Sequence, residues 1–539
     1  MKNVLTFTRL VLLAALLLAL ASSSFASTPG ITGGTGGTAT FNLVAKPAYI
    51  TQPDGQAIYS WGYGCASGGT QAATLGSVSY ANFNCPTMQV PGPTMVVTVG
   101  QTVTINLTNG LPPAAGNTSI LFPGFNVTAT GGVQGLLTTE AAPGGSVTYT
   151  FTATTPGTRA YYSGTQGDLQ VEMGLYGAIV VLPAAIPTAC TSGLHASNLT
   201  AESYWGESDF RLAAAAYNNV NACYDREYLF QFSEIDPSIH TQALAQSTQN
   251  CTGCMSVATE PYHPAYYLIN GRSMPDDMDP NYALEYPHQP YNGNPHMHPG
   301  ELVLLRIVGQ GRWQHPFHEH ANHVRILARD GNLITAPDGT NLAGPLLFTT
   351  TTTPGLAMDG IFYYTGKGLN WDLYGHNPSS KDASAKLSCT PDANGYNTGA
   401  PTAINYFEWC QDHNKPMQAH PFGDVAAGGP ATLPDPNLFT NGPWYGGSPY
   451  LGPDATVRAT GCYSYTSGTV TQTNAGDCGQ TGTTPPSGTI ANNPGSEAGF
   501  AFMWHSHNER EITTNNIFPG GMLMMMLVDS REFVIDESL

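Results

Sequence analysis

Charge is scarce in this chain, and basic charge scarcest of all. Lys and Arg number 18 and Asp and Glu 37 in 539 residues, a net charge of -19 with His neutral. So few cations offer little to a phosphate backbone, which argues against nucleic acid and anionic membrane as partners. Histidine is missing from the first 194 residues, so that portion cannot supply an imidazole to any metal. No apolar run beyond the N-terminus is long enough for a membrane span. Strong helix signals are also rare. Gly and Pro total 102 residues, and Thr, Ser, Tyr and Asn are frequent, which fits short β-strands joined by turns.

The N-terminus reads as a secretory signal peptide over residues 1–26. Lys2 and Arg9 precede an apolar run from Leu10 to Leu20, and Ser24-Phe25-Ala26 supplies a cleavage pattern. No Cys follows the run directly, so no lipid anchor is expected. Its removal takes two basic residues and leaves 16 against 37, a net charge of -21. The mature protein is expected to be secreted, either periplasmic or extracellular at the cell surface. All ten Cys lie beyond this segment, and an even number in an exported chain favours disulfides. Neighbours suggest Cys65 with Cys85, Cys190 with Cys223, Cys251 with Cys254, Cys389 with Cys410, and Cys462 with Cys478. Cys251-Thr-Gly-Cys254 is compatible with a redox or zinc motif, but no second pair stands at zinc-ribbon spacing, which favours a local disulfide.

Residues 27–36, rich in Gly and Thr, read as a flexible leader. Alternating strands then run to about Pro183, and a first β-sandwich is expected over 37–187. A Cys-bracketed connection follows, with a helix-like segment around FRLAAAAYNNV. The second sandwich is expected over 188–535. A Gly-, Pro- and Asn-rich insertion of approximately 366–490 interrupts it, far longer than an ordinary loop and read as a disulfide-tied lid or contact surface.

Chemistry concentrates in two stretches. HPFHEHANH places His315, His318, His320 and His323 within nine residues, and AFMWHSHNE carries His505 and His507. Both read as strands, where residues at i and i+2 share a face. His318 with His320, and His505 with His507, are therefore two halves of a metal site that the fold must bring together. Neutral imidazoles suit copper first and zinc second. Glu319 alternates away from its neighbours and is expected to face outward or to support the ligands. His323 is expected to hydrogen-bond at the strand end. His296 and His298, just before Pro299-Gly300, are expected in a solvated loop, with an accessory metal site as the lesser alternative. The methionines at 522 and 524–526 read as a buried strand.

Three segments carry a family resemblance. PGPTMVVTVGQTVTINLTNGLP, PGGSVTYTFTATTPGT and GLYGAIVVLP resemble the first cupredoxin domain of multicopper oxidases, and the two His-rich stretches resemble the terminal domain. The resemblance implies an all-β fold of two cupredoxin-like Greek-key β-sandwich domains, the second with the long insertion. Matched by position, His318, His320, His505 and His507 correspond to ligands of the trinuclear copper cluster, and His315 and Met522 to ligands of the type 1 copper. Ser506 stands where the type 1 Cys belongs, and an ungapped match puts Glu511 where that site has its second His. In the first domain, Leu121 and Pro123, and then Tyr162 and Gly164, occupy the expected His positions. Without the thiolate there is no blue copper site, and without first-domain imidazoles there is no trinuclear cluster.

The expected function is therefore a copper-binding, multicopper-oxidase-like oxidoreductase with a reduced His-only site, unlike a four-copper laccase. It would take electrons from a donor the sequence does not name, with oxygen as a candidate oxidant. The alternative is a non-catalytic surface or copper-storage protein on the same scaffold.

Overall fold

The computed structural model describes residues 28–34, 36–66, 72–75, 78–366, 391–403, 406–407, 447–451, 461–466, 469–474, 490–491, 498–529, 531 and 534–535. The expected signal peptide, the expected Cys389–Cys410 and Cys462–Cys478 bridges, and most of the expected insertion fall outside these residues.

Period-two burial builds the first sandwich. In Thr102–Asn109 the residues Val103, Ile105 and Leu107 point into the core, and in Ser146–Thr152 so do Val147, Tyr149 and Phe151, while the intervening Thr and Asn face outward. These strands sit in a five-stranded sheet ordered Ala57–Cys65, Thr38–Thr51, Thr102–Asn109, Ser146–Thr152, Thr128–Gly131. A four-stranded sheet, ordered Ile31–Thr32, Met95–Thr98, Tyr176–Leu182, Gly157–Tyr162, closes over the same core.

The second sandwich repeats this architecture. One sheet runs Tyr266–Ile269, Arg226–Ile235, Leu302–Gly309, Ala357–Tyr363, Val324–Arg329, Asn332–Leu333. The facing sheet runs His296–Met297, Leu523–Asp529, Ala498–Ser506, His315–Glu319, Thr349–Thr352. Phe230, Phe232, Val303 and Leu305 from one sheet meet Phe317, Trp504, Met524 and Met526 from the other in a shared core. Met524 and Met526 are buried, as their place on an apolar strand implied. The architecture is the all-β, two-sandwich, cupredoxin-like fold expected from the sequence.

The sandwiches join through an apolar contact and a polar clamp. Ala160 and Ala178 pack against Leu229, Val308 and Ala357, while Thr158 donates to Asp359 through its backbone N (3.1 Å) and its Oγ1 (2.6 Å). Cys65–Cys85, Cys190–Cys223 and Cys251–Cys254 are disulfides, as their spacing suggested. Among the described residues no helix is long and apolar enough to cross a membrane.

Two expectations are corrected. Within the supposed flexible leader, Ile31–Thr32 pairs in parallel with Met95–Val96, and Thr28 and Ile31 are buried. An isolated Ile finds an open sheet edge there, and its burial outweighs the loose composition around it. The alanine run 213–216 is not helical; the helices lie at Gly193–Trp205 and Pro237–Gln246. Helix propensity is worth only tenths of a kcal/mol per residue. Here the Ala216 N–H donates to Ala222 O, the Tyr217 hydroxyl donates to Asp359, and the Cys190–Cys223 bridge closes the segment, so tertiary anchors prevail.

Candidate metal centre

The site begins with strand register. His315–Glu319 runs antiparallel to Ala498–Ser506 with Phe317 opposite Ser506, His318 opposite His505, and Glu319 opposite Trp504. Directly opposed residues point to the same face, and diagonal neighbours remain within reach of large side chains. His318 and His505 therefore share one face, with His320 and His507 as their diagonal partners. Ring centroids are 4.9 Å apart for His318–His320, 4.8 Å for His318–His507, 5.0 Å for His320–His505 and 5.6 Å for His318–His505. The structure thus brings together all four imidazoles singled out from the two His-x-His pairs.

Their surroundings orient them. His318 Nδ1 is 2.7 Å from Thr349 Oγ1, and His505 Nδ1 is 2.7 Å from Ser506 O, contacts that orient both rings. His505 Nε2 lies 3.2 Å from His320 Nε2. Two nitrogens each about 2.0–2.1 Å from one tetrahedral ion stand about 3.3 Å apart, so this pair fits a shared metal. His318 and His505 are buried, His320 is half-buried and His507 is exposed. The cluster therefore opens to solvent at His507. Burial, followed by the neighbouring His320, His507 and His505, pushes the pKa of His318 down to about 4, and burial likewise lowers that of His505. These two rings are neutral near pH 7, the form that binds metal.

His315 occupies a different environment. It lies on the core-facing side of its strand with Phe317, and its ring is fully buried. Nε2 is 2.9 Å from Glu234 Oε2 and Nδ1 is 2.9 Å from Glu511 Oε2. Burial works against charge on this ring, but the two carboxylates outweigh it and raise its pKa to about 9. Ser506 Oγ also donates to Glu511 Oε2, and Asn508 Nδ2 donates to Glu511 Oε1 at 2.9 Å. Met522 is buried, with its backbone N donating to Glu511 O at 2.8 Å. The positions matched to the type 1 copper thus converge, but as a buried imidazolium held by carboxylates.

Other sequence expectations fared unevenly. Glu319 does alternate away from the histidines, but it is fully buried instead of facing outward. It accepts from Thr350 Oγ1 at 2.8 Å, and burial raises its pKa to about 8. His323 lies in the connection just before the strand Val324–Arg329, with its ring centroid 5.2 Å from that of Phe348. The solvated loop expected at His296 and His298 is absent. His296–Met297 pairs with Leu527–Val528, and both histidines are buried. Carboxylates make this possible: His296 Nδ1 is 2.6 Å from Asp529 Oδ2, and His298 Nε2 is 2.6 Å from Glu207 Oε1.

Glu207, His298 and Glu301 bring one ligand-type atom each within 4.8 Å of one another. Arg226 occupies this cluster, with Nε donating to Glu301 Oε2 at 2.7 Å and Nη2 to Glu207 Oε2 at 2.5 Å. The group is a compensated ion-pair network. Sequence reading singled out His298 but missed Glu207, Glu301 and Arg226, and missed Glu234, because these stand in no motif and are met only through pairing across the chain.

Comparison with known proteins adds a match over part of the chain. Residues 76–185 match the sequence profile described as multicopper oxidase. No curated protein matches the chain. Similar solved structures include the blue copper oxidase from Nitrosomonas europaea, with 14% identity and a TM-score of 0.42 over 90% of this chain and 85% of that one. The copper nitrite reductase from Nitrosomonas europaea has 19% identity and a TM-score of 0.36 over 61% of this chain and 85% of its own. A copper-containing nitrite reductase from Thermus scotoductus SA-01 has 16% identity and a TM-score of 0.35 over 60% and 55%.

Proposed function

We propose that this is an exported copper protein of multicopper-oxidase type whose single His-only centre is made by His318, His320, His505 and His507. The observation that carries this reading is the convergence of four imidazoles on one sheet face, with one edge open at His507. Copper is the cofactor of the family matched, and the Nε2–Nε2 spacing of 3.2 Å suits two nitrogens on one ion. When bound, copper would supply one-electron chemistry. Thr349 and the Ser506 carbonyl would hold the His318 and His505 rings in orientation, and the exposed side at His507 would admit an electron donor or oxygen. The boundaries in this reading remain 1–26 for the signal peptide, 37–187 for the first domain and 188–535 for the second.

A second reading, a non-catalytic or copper-storage scaffold, is favoured by one observation. Where a type 1 copper would receive electrons, Ser506 hydrogen-bonds to Glu511 and Glu511 forms an ion pair with His315. The deciding experiment measures metal content and the electron paramagnetic resonance of copper-loaded protein beside a His318→Ala/His505→Ala variant. About one copper per chain with nitrogen-dominated coupling, lost in the variant, supports the site. Equal copper in both proteins would sink it. Full occupancy without oxidation of any donor would leave the storage reading.

A further inference from the structure

The first sandwich lost its expected histidines without becoming solid. Three of the four residues in those positions, Leu121, Tyr162 and Gly164, line a cavity of about 280 Å3 at the seam between the sandwiches. Gln310, Pro354 and Gly355 of the second sandwich form the opposite wall. The frame is secured on both sides. Leu121 and Tyr162 exchange backbone hydrogen bonds of 2.7 and 3.3 Å, and Gly355 N donates to Gly309 O at 2.9 Å. Gly355 also matters for space, since a Cβ there would come within 3.1 Å of the Tyr162 ring.

The lining chemistry narrows the occupant. Among the described residues no charged side chain borders the cavity, which disfavours an ion or a metal. Leu121, Val171 and Pro354 supply hydrocarbon. Gln310 Nε2 is already engaged by Gly177 O at 2.8 Å and Gln231 Oε1 at 3.1 Å. The Tyr162 hydroxyl has no hydrogen-bond partner among the described residues and lies beside Gly355 of the lining, so the wall carries an uncommitted donor next to its hydrocarbon. An apolar cavity of about 150 Å3 holds benzene, so this one has room for a substituted single ring. We infer that the seam cavity binds a neutral single-ring organic molecule carrying one hydrogen-bond acceptor, which Tyr162 recognises. This site is independent of the histidine centre.

Acetophenone is a suitable probe because it is neutral, carries one acceptor and resists ready oxidation. Calorimetric titration of the full chain, both copper-loaded and chelator-treated, should give saturable binding with a dissociation constant of about 0.1–1 mM. Tyr162→Phe should weaken binding about 3- to 10-fold. Val171→Phe, which fills the cavity, should abolish it, and His318→Ala/His505→Ala should leave it unchanged even if the copper reading fails. If Val171→Phe lowers the melting temperature, Leu137→Trp at the exposed rim carries the same test. Absence of saturable heat up to the solubility limit would overturn the inference. So would filling variants that bind like the parent.

Discussion

His318 stands directly opposite His505 across two antiparallel strands, with ring centroids 5.6 Å apart. A one-residue slip of this register would send one His-x-His pair into the core and the other to the surface. The proposed metal centre is therefore a property of the pairing, and its members should fail together. Replacing any one of His318, His320, His505 or His507 with Ala should lower copper affinity by about 100-fold or more, beyond the 10- to 100-fold typical of supporting partners. His323→Ala should change it by less than about threefold. Competition against a chelator of known affinity measures both; equal losses at His323 and His505 would refute the assignment.

The His315 network makes stability depend on pH in a definite direction. Its pKa is about 9 in the folded protein, against about 6.5 when unfolded. Below about pH 6.5 both states hold the proton and the stabilisation is fully present; it fades as pH rises through about 9. The difference corresponds to about 3 kcal/mol. Denaturant unfolding of metal-free protein from pH 6 to 10 should show a loss of that order, and His315→Gln should be less stable at pH 6 with a flatter profile. Identical pH slopes in the two proteins would contradict the carboxylate–imidazolium account.

Convergence of Ser506, Glu511 and His315 suggests that a blue site is two substitutions away. Ser506→Cys/Glu511→His would offer one thiolate and two imidazoles, with Met522 in the position matched to an axial ligand. Copper added to this variant should produce an intense visible band that Ser506→Cys alone lacks, because Glu511 then still engages His315. A colourless double variant that binds the extra copper would show that these residues do not share one site.

Arg226 pairs with both Glu207 and Glu301, all three buried, while His298 lies 2.6 Å from Glu207 and Arg531 3.8 Å from Glu301. Arg226→Leu should destabilise the protein by about 3–5 kcal/mol, since both buried carboxylates would lose their shortest cationic contact. Arg226→Leu/Glu207→Gln should recover part of the loss. A single variant within about 0.5 kcal/mol of the parent in urea unfolding would rule out this role.

Several of these relationships were legible early because they are local. The i, i+2 spacing of His318 with His320 and of His505 with His507 states which rings share a face, and alternation states that Glu319 does not. Alternation cannot say which face meets the core. Glu319 therefore reads as facing outward or supporting the ligands, although Phe317 and Trp504 on its side are buried. His296 and His298 misled for a similar reason: a Pro-Gly turn follows them, but Asp529 and Glu207, distant in sequence, supply the partners that allow burial.

By itself, the sequence determined the all-β character, the two His-x-His half-sites, and the absence of both the type 1 thiolate and any first-domain imidazole. Each follows from residue identity or a two-residue period, which no distant contact can change. Tertiary structure alone decided that His318 meets His505, that His315 is held between Glu234 and Glu511, and that the lost copper positions of the first sandwich line a cavity. Register, charge pairing and void space arise between segments far apart in the chain, where hydrogen-bond ladders and side-chain packing select one arrangement from many the sequence permits.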